Sequence, residues 1–313
     1  MILNGIILKA QSGFFLVETD QGQLTCQLRG RLKKEKRTGD IAAVGDRVLV
    51  EPIDSVTGMI NEIQPRKTFF ARLDPTPHGV YRQILLANPD QALFIFACAN
   101  PAPHLRMLDR FLVIAEKQQI PAVIVASKTD LVGEEQAASL FGHYTAIGYR
   151  VIYVSLPLKK GIEDIRDLLL GKITAFTGPS GVGKSSMLNA VQPGLGLATR
   201  DISEYSHKGR HTTVVRQMYP VEGGGYVVDT PGIKSLSLWD MEPEELDGYF
   251  REISPLVSSC QFNDCTHRTE PGCAVREAVR QGQVHPERYR SYLRMRYEEE
   301  DLPEEIEKTE DIH

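Results

Sequence analysis

Apolar and polar positions along the chain fall into two rhythms. From residue 1 to about 68 the apolar residues come in short runs, often alternating with polar ones, as in Leu24-Thr25-Cys26-Gln27-Leu28. Runs of this kind, broken by turn residues, predict strands. The expected strands are Leu3–Lys9, Phe14–Glu18, Leu24–Leu28, Arg47–Glu51 and Met59–Ile63. Turn signals separate them at Ser12-Gly13, Asp20-Gln21-Gly22, Thr38-Gly39-Asp40 and Thr57-Gly58. Five short strands in one small unit predict a closed or part-closed barrel such as an OB-fold, although another small barrel fits the pattern too. Pro65 to Gly79 is rich in Pro, Arg and Thr and reads as a linker. From about residue 84 strands and helices alternate. Strands are expected at Ala92–Ala97, Ala122–Ala126, Val151–Val154 and Ile173–Thr177, with helices Leu105–Gln118, Glu134–Ile147 and Ile162–Leu170 between them. That rhythm predicts a mostly parallel sheet covered by helices. A helix from Ser185 to Val191 and strands Val214–Tyr219 and Gly225–Val228 follow. Beyond Asp240 the chain reads as helical, with helices Pro243–Phe250 and Pro286–Tyr297 around one cysteine-rich loop.

The richest chemistry lies between the fourth α/β strand and its helix. Gly178-Pro179-Ser180-Gly181-Val182-Gly183-Lys184-Ser185 fills the pattern G-x-x-x-x-G-K-[ST] at every position, and Ser186 follows it. A glycine-rich turn aims backbone N–H groups at phosphates, the lysine neutralises β and γ charge, and the Ser185 hydroxyl is a candidate magnesium ligand. The N-terminus of the following helix favours an anion. Asp229-Thr230-Pro231-Gly232 closes the apolar strand Tyr226-Val227-Val228. There Asp229 is placed to hold magnesium, and the Gly232 N–H to meet a γ-phosphate. Ser127-Lys128-Thr129-Asp130 closes another strand and matches the guanine-reading pattern [N/S/T]-K-x-D. Its carboxylate accepts from the ring N–H and exocyclic amine of guanine, a donor pair adenine lacks. The Lys128 stem is suited to lie along the base plane. Ser127 stands where Asn is usual, and its shorter side chain predicts one bond lost, either to the base or to the phosphate loop. Ser155 and Leu156, after the next strand, are candidates to offer a backbone N–H to the guanine carbonyl oxygen.

A second constellation is Cys260-x4-Cys265-x-His267-x5-Cys273. Three thiolates and an imidazole make a closed set suited to one tetrahedral, structural zinc. The flanking helices are too few to build a large core alone, so zinc would supply folding energy. His285 reads as a spare, exposed imidazole. Cys26 and Cys98 sit alone in apolar runs and read as buried packing residues.

The order of the nucleotide segments is itself informative. Base box, Ser155, phosphate loop and Asp-x-x-Gly follow one another here, whereas an ordinary GTPase begins with the phosphate loop. With the N-terminal barrel and the cysteine cluster, the chain resembles the RsgA family of circularly permuted GTPases that depend on the small ribosomal subunit. The resemblance covers nearly the whole chain. It implies an OB-fold barrel over 1–68, a permuted α/β GTPase domain over 69–235, and a mainly helical zinc-binding domain with an acidic tail over 236–313. The implied cofactors are GTP or GDP, magnesium and one structural zinc. The implied activity is GTP hydrolysis, slow alone and faster on the small subunit, in late maturation of that particle. Partners would be the small subunit and its rRNA, with assembly factors on it as further candidates, and the chain itself monomeric. The resemblance makes Ser206–Thr213 a mobile switch, with Thr212 a magnesium ligand beside Ser185 and Asp229. Ile233 stands where many GTPases place a water-orienting Gln, so slow intrinsic turnover is expected. The catalytic candidates are Lys184, Thr212 and His211, the last for positioning water ahead of His207. The alternative is that His207, Arg210 and His211 are solvated loop residues that meet RNA. A GTP-gated ribosome-binding scaffold with little turnover is the alternative function, and a small-molecule phosphotransferase finds no acceptor signature. The segment after Gly232 runs into the C-terminal domain, so a nucleotide-dependent shift there is expected to reorient that domain.

Charge refines the partner reading. The formal net charge of −5 hides a tail, residues 298–313, that carries −8, leaving the body about +3. The tail reads as solvated. Arg29-Gly30-Arg31-Leu32-Lys33-Lys34-Glu35-Lys36-Arg37 places six bases and one acid between barrel strands, suited to a phosphate backbone, though a charged loop is often merely solvated. Arg288, Arg290, Arg294 and Arg296 interleave with Tyr289 and Tyr292 on a helix, the tyrosines suited to a core and the arginines to RNA. No apolar run reaches membrane-spanning length, and the first residues lack the features of a secretory signal. A cytoplasmic protein with no membrane partner is therefore expected.

Overall fold

The computed structural model describes residues 1–33, 39–76, 79–195, 217–229 and 241–298. The first unit is built from β1 (Leu3–Gln11), β2 (Phe14–Thr19), β3 (Gly22–Leu28), β4 (Arg47–Pro52) and β5 (Thr57–Ile63), with one helical turn, α1 (Gly30–Lys33), after β3. They close in the order β1-β2-β3-β5-β4, and only β3 with β5 runs parallel. This connectivity selects the OB-fold among the barrels the pattern allowed. Alternation does the work: Leu24, Cys26 and Leu28 of β3 point inward with Ile7, Val17, Val48, Val50 and Ile60. Cys26 is buried as expected, and burial pushes its thiol up to about 11.

The expected linker is a hairpin instead. β6 (Phe69–Thr76) pairs with β7 (Gly79–Ala87), and Arg72 Nε donates to Gln83 Oε1 at 2.6 Å across it. The barrel holds it in place, because Asp40 accepts from Tyr81 Oη and from the Ile84 N–H, both at 2.8 Å. Arg66, just before the hairpin, binds the fully buried Asp46 through Nε and Nη2 at 2.7 Å each.

The central unit alternates as predicted: β8 (Gln91–Ala97), α2 (Leu105–Lys117), β9 (Ala122–Ser127), α3 (Glu134–Ala146), β10 (Arg150–Val154), α4 (Ile162–Leu169), β11 (Ile173–Thr177), α5 (Lys184–Val191), β12 (Met218–Pro220) and β13 (Tyr226–Asp229). The sheet order is β10-β9-β8-β11-β13-β12, parallel except for β12. Every residue of β8, β9 and β11 is buried, as expected for strands covered on both faces. One face packs Phe94 and Phe96 against Phe111 and Phe141; the other packs Leu93, Ile95 and Phe176 against Ile165 and Leu188. The chain leaves β8 in one direction through β9 and β10, then returns to the other side at β11. The carboxyl ends of β8 and β11 therefore flank a topological switch point, where such sheets bind ligands. Cys98, just past β8, is buried as expected. Residues 214–216 of the expected strand lie outside the described residues.

The C-terminal unit is mainly helical. Pro243–Tyr249 and Ser254–Ser259 are 3-10 turns rather than the α-helix expected over Pro243–Phe250, and α6 (Ala274–Arg280) and α7 (Pro286–Tyr297) follow. Pro243 stands at the first position, where proline is tolerated, while the glycine at 248 weakens the α-helical interior. Arg288 of α7 is 1% exposed, and its guanidinium meets Asp109 of α2 at 2.7 Å and Glu252 at 2.6 Å. Tyr144 of α3 donates to the same Asp109 at 2.7 Å. Arg251 adds a bond to Glu116 of α2 at 2.7 Å and lies 4.0 Å over the Tyr149 ring. Arg288 and Arg290 are buried, so the RNA-facing role expected for the α7 arginines does not extend to these two. The tyrosines of α7 are core residues, as expected. Among the described residues no helix is long and apolar enough to cross a membrane.

Candidate nucleotide site and metal centre

The phosphate loop leaves the centre of the sheet at β11. A Cβ at Gly178 would lie 2.0 Å from the Ile95 carbonyl oxygen, so the loop passes flat over β8. Gly183 adopts φ +95° and caps α5 at its N-terminus, with the Met187 N–H returning to its carbonyl at 2.9 Å. This left-handed step suits glycine. It turns the chain from loop to helix with Lys184, Ser185 and Ser186 in the first helical turn. Pro179 is buried in the loop, while Ser180 is half-buried and Gly181, at φ +78°, is exposed. Lys184 Nζ folds over the loop, donating to Gly178 O at 2.9 Å and Pro179 O at 2.8 Å. The ammonium is therefore held against the carbonyls of the loop itself.

The base box meets this loop directly. Ser127 ends β9, is 3% exposed, and donates from Oγ to Val182 O of the loop at 2.7 Å. Of the two bonds its short side chain put at stake, the one to the phosphate loop is present. Lys128 adopts φ 58° and its ammonium hydrogen-bonds the Asn100 carbonyl. Thr129 is buried, and Asp130 is exposed at the mouth. Ser155 is fully buried after β10 and donates from Oγ to Asp130 Oδ1 at 2.7 Å. Its own N–H is spent on Lys160 O at 3.1 Å, which leaves Leu156 as the candidate backbone donor. The side-chain role of Ser155 in orienting Asp130 was not foreseen from sequence; a hydroxyl next to a strand end was the available signal.

Asp229 ends β13, and its backbone pairs with Phe176, next to the start of the phosphate loop. The permuted segments thus converge at one end of one sheet. Thr212, His211 and His207, with Thr230, Pro231, Gly232 and Ile233, lie outside the described residues.

The four zinc candidates come together. The ligand atoms of Cys260, Cys265, His267 and Cys273 all lie within 4.8 Å of one another. His267 Nδ1 is 3.5 Å from Cys260 Sγ and 3.4 Å from Cys273 Sγ, and those two sulfurs are 4.0 Å apart. Around tetrahedral zinc, with bonds of ~2.3 Å to sulfur and ~2.0 Å to nitrogen, neighbouring ligands sit roughly 3.5–3.8 Å apart, so the set fits. Asp247 Oδ2 lies 3.3 Å from His267 Nε2, the second-sphere carboxylate that fixes the tautomer presenting Nδ1. Burial pushes the Cys265 thiol up to about 12 and raises Cys273. A buried set of this kind binds metal by releasing protons. His285 is exposed as expected, although its ring stacks at 4.2 Å on His143 of α3.

Part of the basic barrel loop is described. Arg31 donates to Asn61 O at 2.8 Å and Arg29 lies 3.6 Å from Glu51, while residues 34–38 lie outside the described residues.

Comparison with known proteins agrees with this geometry. The RsgA GTPase family pattern matches residues 63–239, and the RsgA N-terminal domain pattern matches residues 4–60. The chain is similar to the small ribosomal subunit biogenesis GTPase RsgA of Gemmatimonas aurantiaca, 45% identical over 298 residues that cover 94% of this chain and 96% of that one. It is similar to the protein of the same name from Bacteroides fragilis, 40% identical over 305 residues, 96% of this chain and 98% of that one. The structure of YjeQ from Thermotoga maritima superposes with a TM-score of 0.77 at 36% identity, over 95% of this chain and 98% of that chain. The structure of YloQ, a circularly permuted GTPase, superposes with a TM-score of 0.72 at 31% identity, over 95% of each chain. Strand order, convergent loops and kinship agree: this chain belongs to the RsgA GTPase family and is a GTP-hydrolysing enzyme.

Proposed function

We propose that the enzyme hydrolyses GTP to GDP and phosphate in the cytoplasm, is stimulated by the small ribosomal subunit, and assists late maturation of that subunit. The observation that carries this reading is the bond from Ser127 to Val182 O at 2.7 Å, which ties the base-reading turn to the phosphate-binding turn. In this reading Gly178, Pro179, Ser180, Gly181, Val182 and Gly183 cradle the phosphates with their backbone N–H groups. Lys184 moves from the loop carbonyls onto the β and γ oxygens. Asp130, steadied by Ser155, reads guanine, with Lys128 and Thr129 shaping the turn and Leu156 donating to the carbonyl oxygen. Ser185, Thr212 and Asp229 would hold magnesium, which neutralises charge on the phosphates. Gly232 meets the γ-phosphate, and His211 positions water. Cys260, Cys265, His267 and Cys273 would hold one structural zinc. The units divide at 1–68, 69–235 and 236–313, and the flanking units meet rRNA while assembly factors approach the bound monomer.

Ile233 follows Asp-Thr-Pro-Gly and offers nothing to orient water, which favours a scaffold with little turnover as the second reading. Measuring GTP turnover with and without purified small subunits separates the two. The enzyme reading expects at least a tenfold stimulation that Lys184→Ala abolishes and His211→Ala strongly reduces. Intact subunit binding with no stimulation favours the scaffold.

A further inference from the structure

The loop that carries Cys265 and His267 is tied down by a carboxylate that is not among the four ligands. Glu270 is half-buried, a short step beyond His267. Its Oε1 accepts from the Thr266 N–H at 2.9 Å and from the Thr266 hydroxyl. Its Oε2 accepts from the Arg268 and Thr269 N–H groups, each at 3.0 Å. Thr266 and Arg268 flank His267 in the chain, so both neighbours of that ligand hang from one carboxylate. The loop needs such a hold. His267 is fully buried at φ +61°, a left-handed backbone that a residue with a side chain rarely adopts unless its surroundings impose it. The carbonyls of the same turn are held by α7: Tyr289 Oη donates to His267 O at 2.6 Å, and Tyr292 Oη to Thr266 O at 3.2 Å.

Resting on the zinc reading above, we infer that Glu270 is a positioning residue of the metal centre: it fixes the turn that brings His267 Nδ1 and Cys265 Sγ to the ion, and so sets how tightly zinc is held. Groups beyond the ligands tune metal affinity in this way. Asp247 orients the His267 ring from its Nε2 edge, whereas Glu270 orients the backbone that carries the ring. Charge alone argues the opposite sign. Three thiolates outweigh one zinc ion, so the filled site is net negative and a nearby carboxylate repels it. Neutralising Glu270 would then tighten zinc binding, whereas loosening the turn would weaken it. The turn prevails, because the amide of Gln has a single acceptor oxygen. It can serve one pair of donors while its NH2 faces the other pair. That pair loses its partner, and the turn loses its hold.

The test measures zinc affinity of the full chain by competition with a chromophoric chelator, with cobalt(II) as a spectroscopic stand-in. Glu270→Gln is expected to hold zinc about tenfold more weakly than the wild type, or weaker still. Its GDP affinity and its cobalt absorption band at saturation should match the wild type, since the nucleotide site and the four ligands are unchanged. Thr266→Val, which removes only the hydroxyl donor, should weaken zinc binding about threefold, and it decides the matter if Glu270→Gln does not fold. Zinc held as tightly as in the wild type, or more tightly, by the deciding variant overturns the inference, because positioning would then count for nothing. A shifted cobalt band in Glu270→Gln also overturns it, since Glu270 would itself be a ligand. Wild-type protein that binds neither metal would contradict the zinc reading itself, and the same titration shows it.

Discussion

At Gly178 the backbone alone fits. A Cβ there would sit 2.0 Å from the Ile95 oxygen, and the atom in the way is main chain in the middle of a fully buried strand. Neither side can yield without moving the phosphate loop or β8. Gly178→Ala is therefore expected to weaken guanine-nucleotide binding at least tenfold while circular dichroism stays near that of the wild type; unchanged nucleotide affinity would show that the loop tolerates the shift. Such residue-scale detail was partly legible in the sequence. The glycines, Lys184 and Asp130 announce themselves because their chemistry needs those residue types at that spacing. Ser155 and Asp109 do not: a buried hydroxyl steadying a carboxylate, or a carboxylate awaiting an arginine from 179 residues further on, has no local pattern.

Elements were more legible than their partners. Ile173–Thr177 and Pro286–Tyr297 form as read, because buried strand runs and a Pro-started helix are local signals. The hairpin of β6 and β7 was missed because the prolines of the stretch, Pro65, Pro75 and Pro77, mark loops on average, whereas here Asp40 of the barrel pairs with the hairpin through Tyr81 and Ile84. The cysteine-rich loop lies between short 3-10 turns and α6, with few long elements to hold it. Its order should depend on metal. Freshly purified protein is expected to carry about one zinc per chain, and a strong chelator should cause the C-terminal unit to lose protection against proteolysis. Protein without zinc and with unchanged protection would contradict the metal reading.

The whole molecule is a permuted sheet with a unit fastened on each side. On the barrel side, Lys9 pairs with Gln217 at the sheet edge, and Tyr226 Oη donates to Glu18 at 2.5 Å. On the other side, Arg288 bridges Asp109 and Glu252 out of reach of solvent. The reorientation expected from chain order would have to carry α2 along or break this buried cluster, and breaking one partner of a buried pair costs about 3–5 kcal/mol. The same junction predicts a pH dependence. Burial, helped by the charges of His285 and Arg288 and opposed by Glu252, lowers His143 from 6.5 to about 4. The unfolded chain then binds more protons than the folded one between those values, so this contribution is complete above about 6.5 and lost as pH falls towards 4. Lowering pH from 7 to 5 should reduce the urea midpoint of the wild type more than that of His143→Phe; parallel losses would remove His143 from the account.

The central claim is that guanine is read by a turn encoded ahead of the loop that holds its phosphates. Asp130→Asn tests it most directly, because the amide donates where the carboxylate accepted, and xanthine presents an acceptor where guanine presents its amine. The account predicts that the variant loses GTP binding and gains xanthosine triphosphate binding, each by at least tenfold, with the phosphate loop unaltered. Undiminished GTP affinity in Asp130→Asn, with no gain for the xanthine nucleotide, would contradict it.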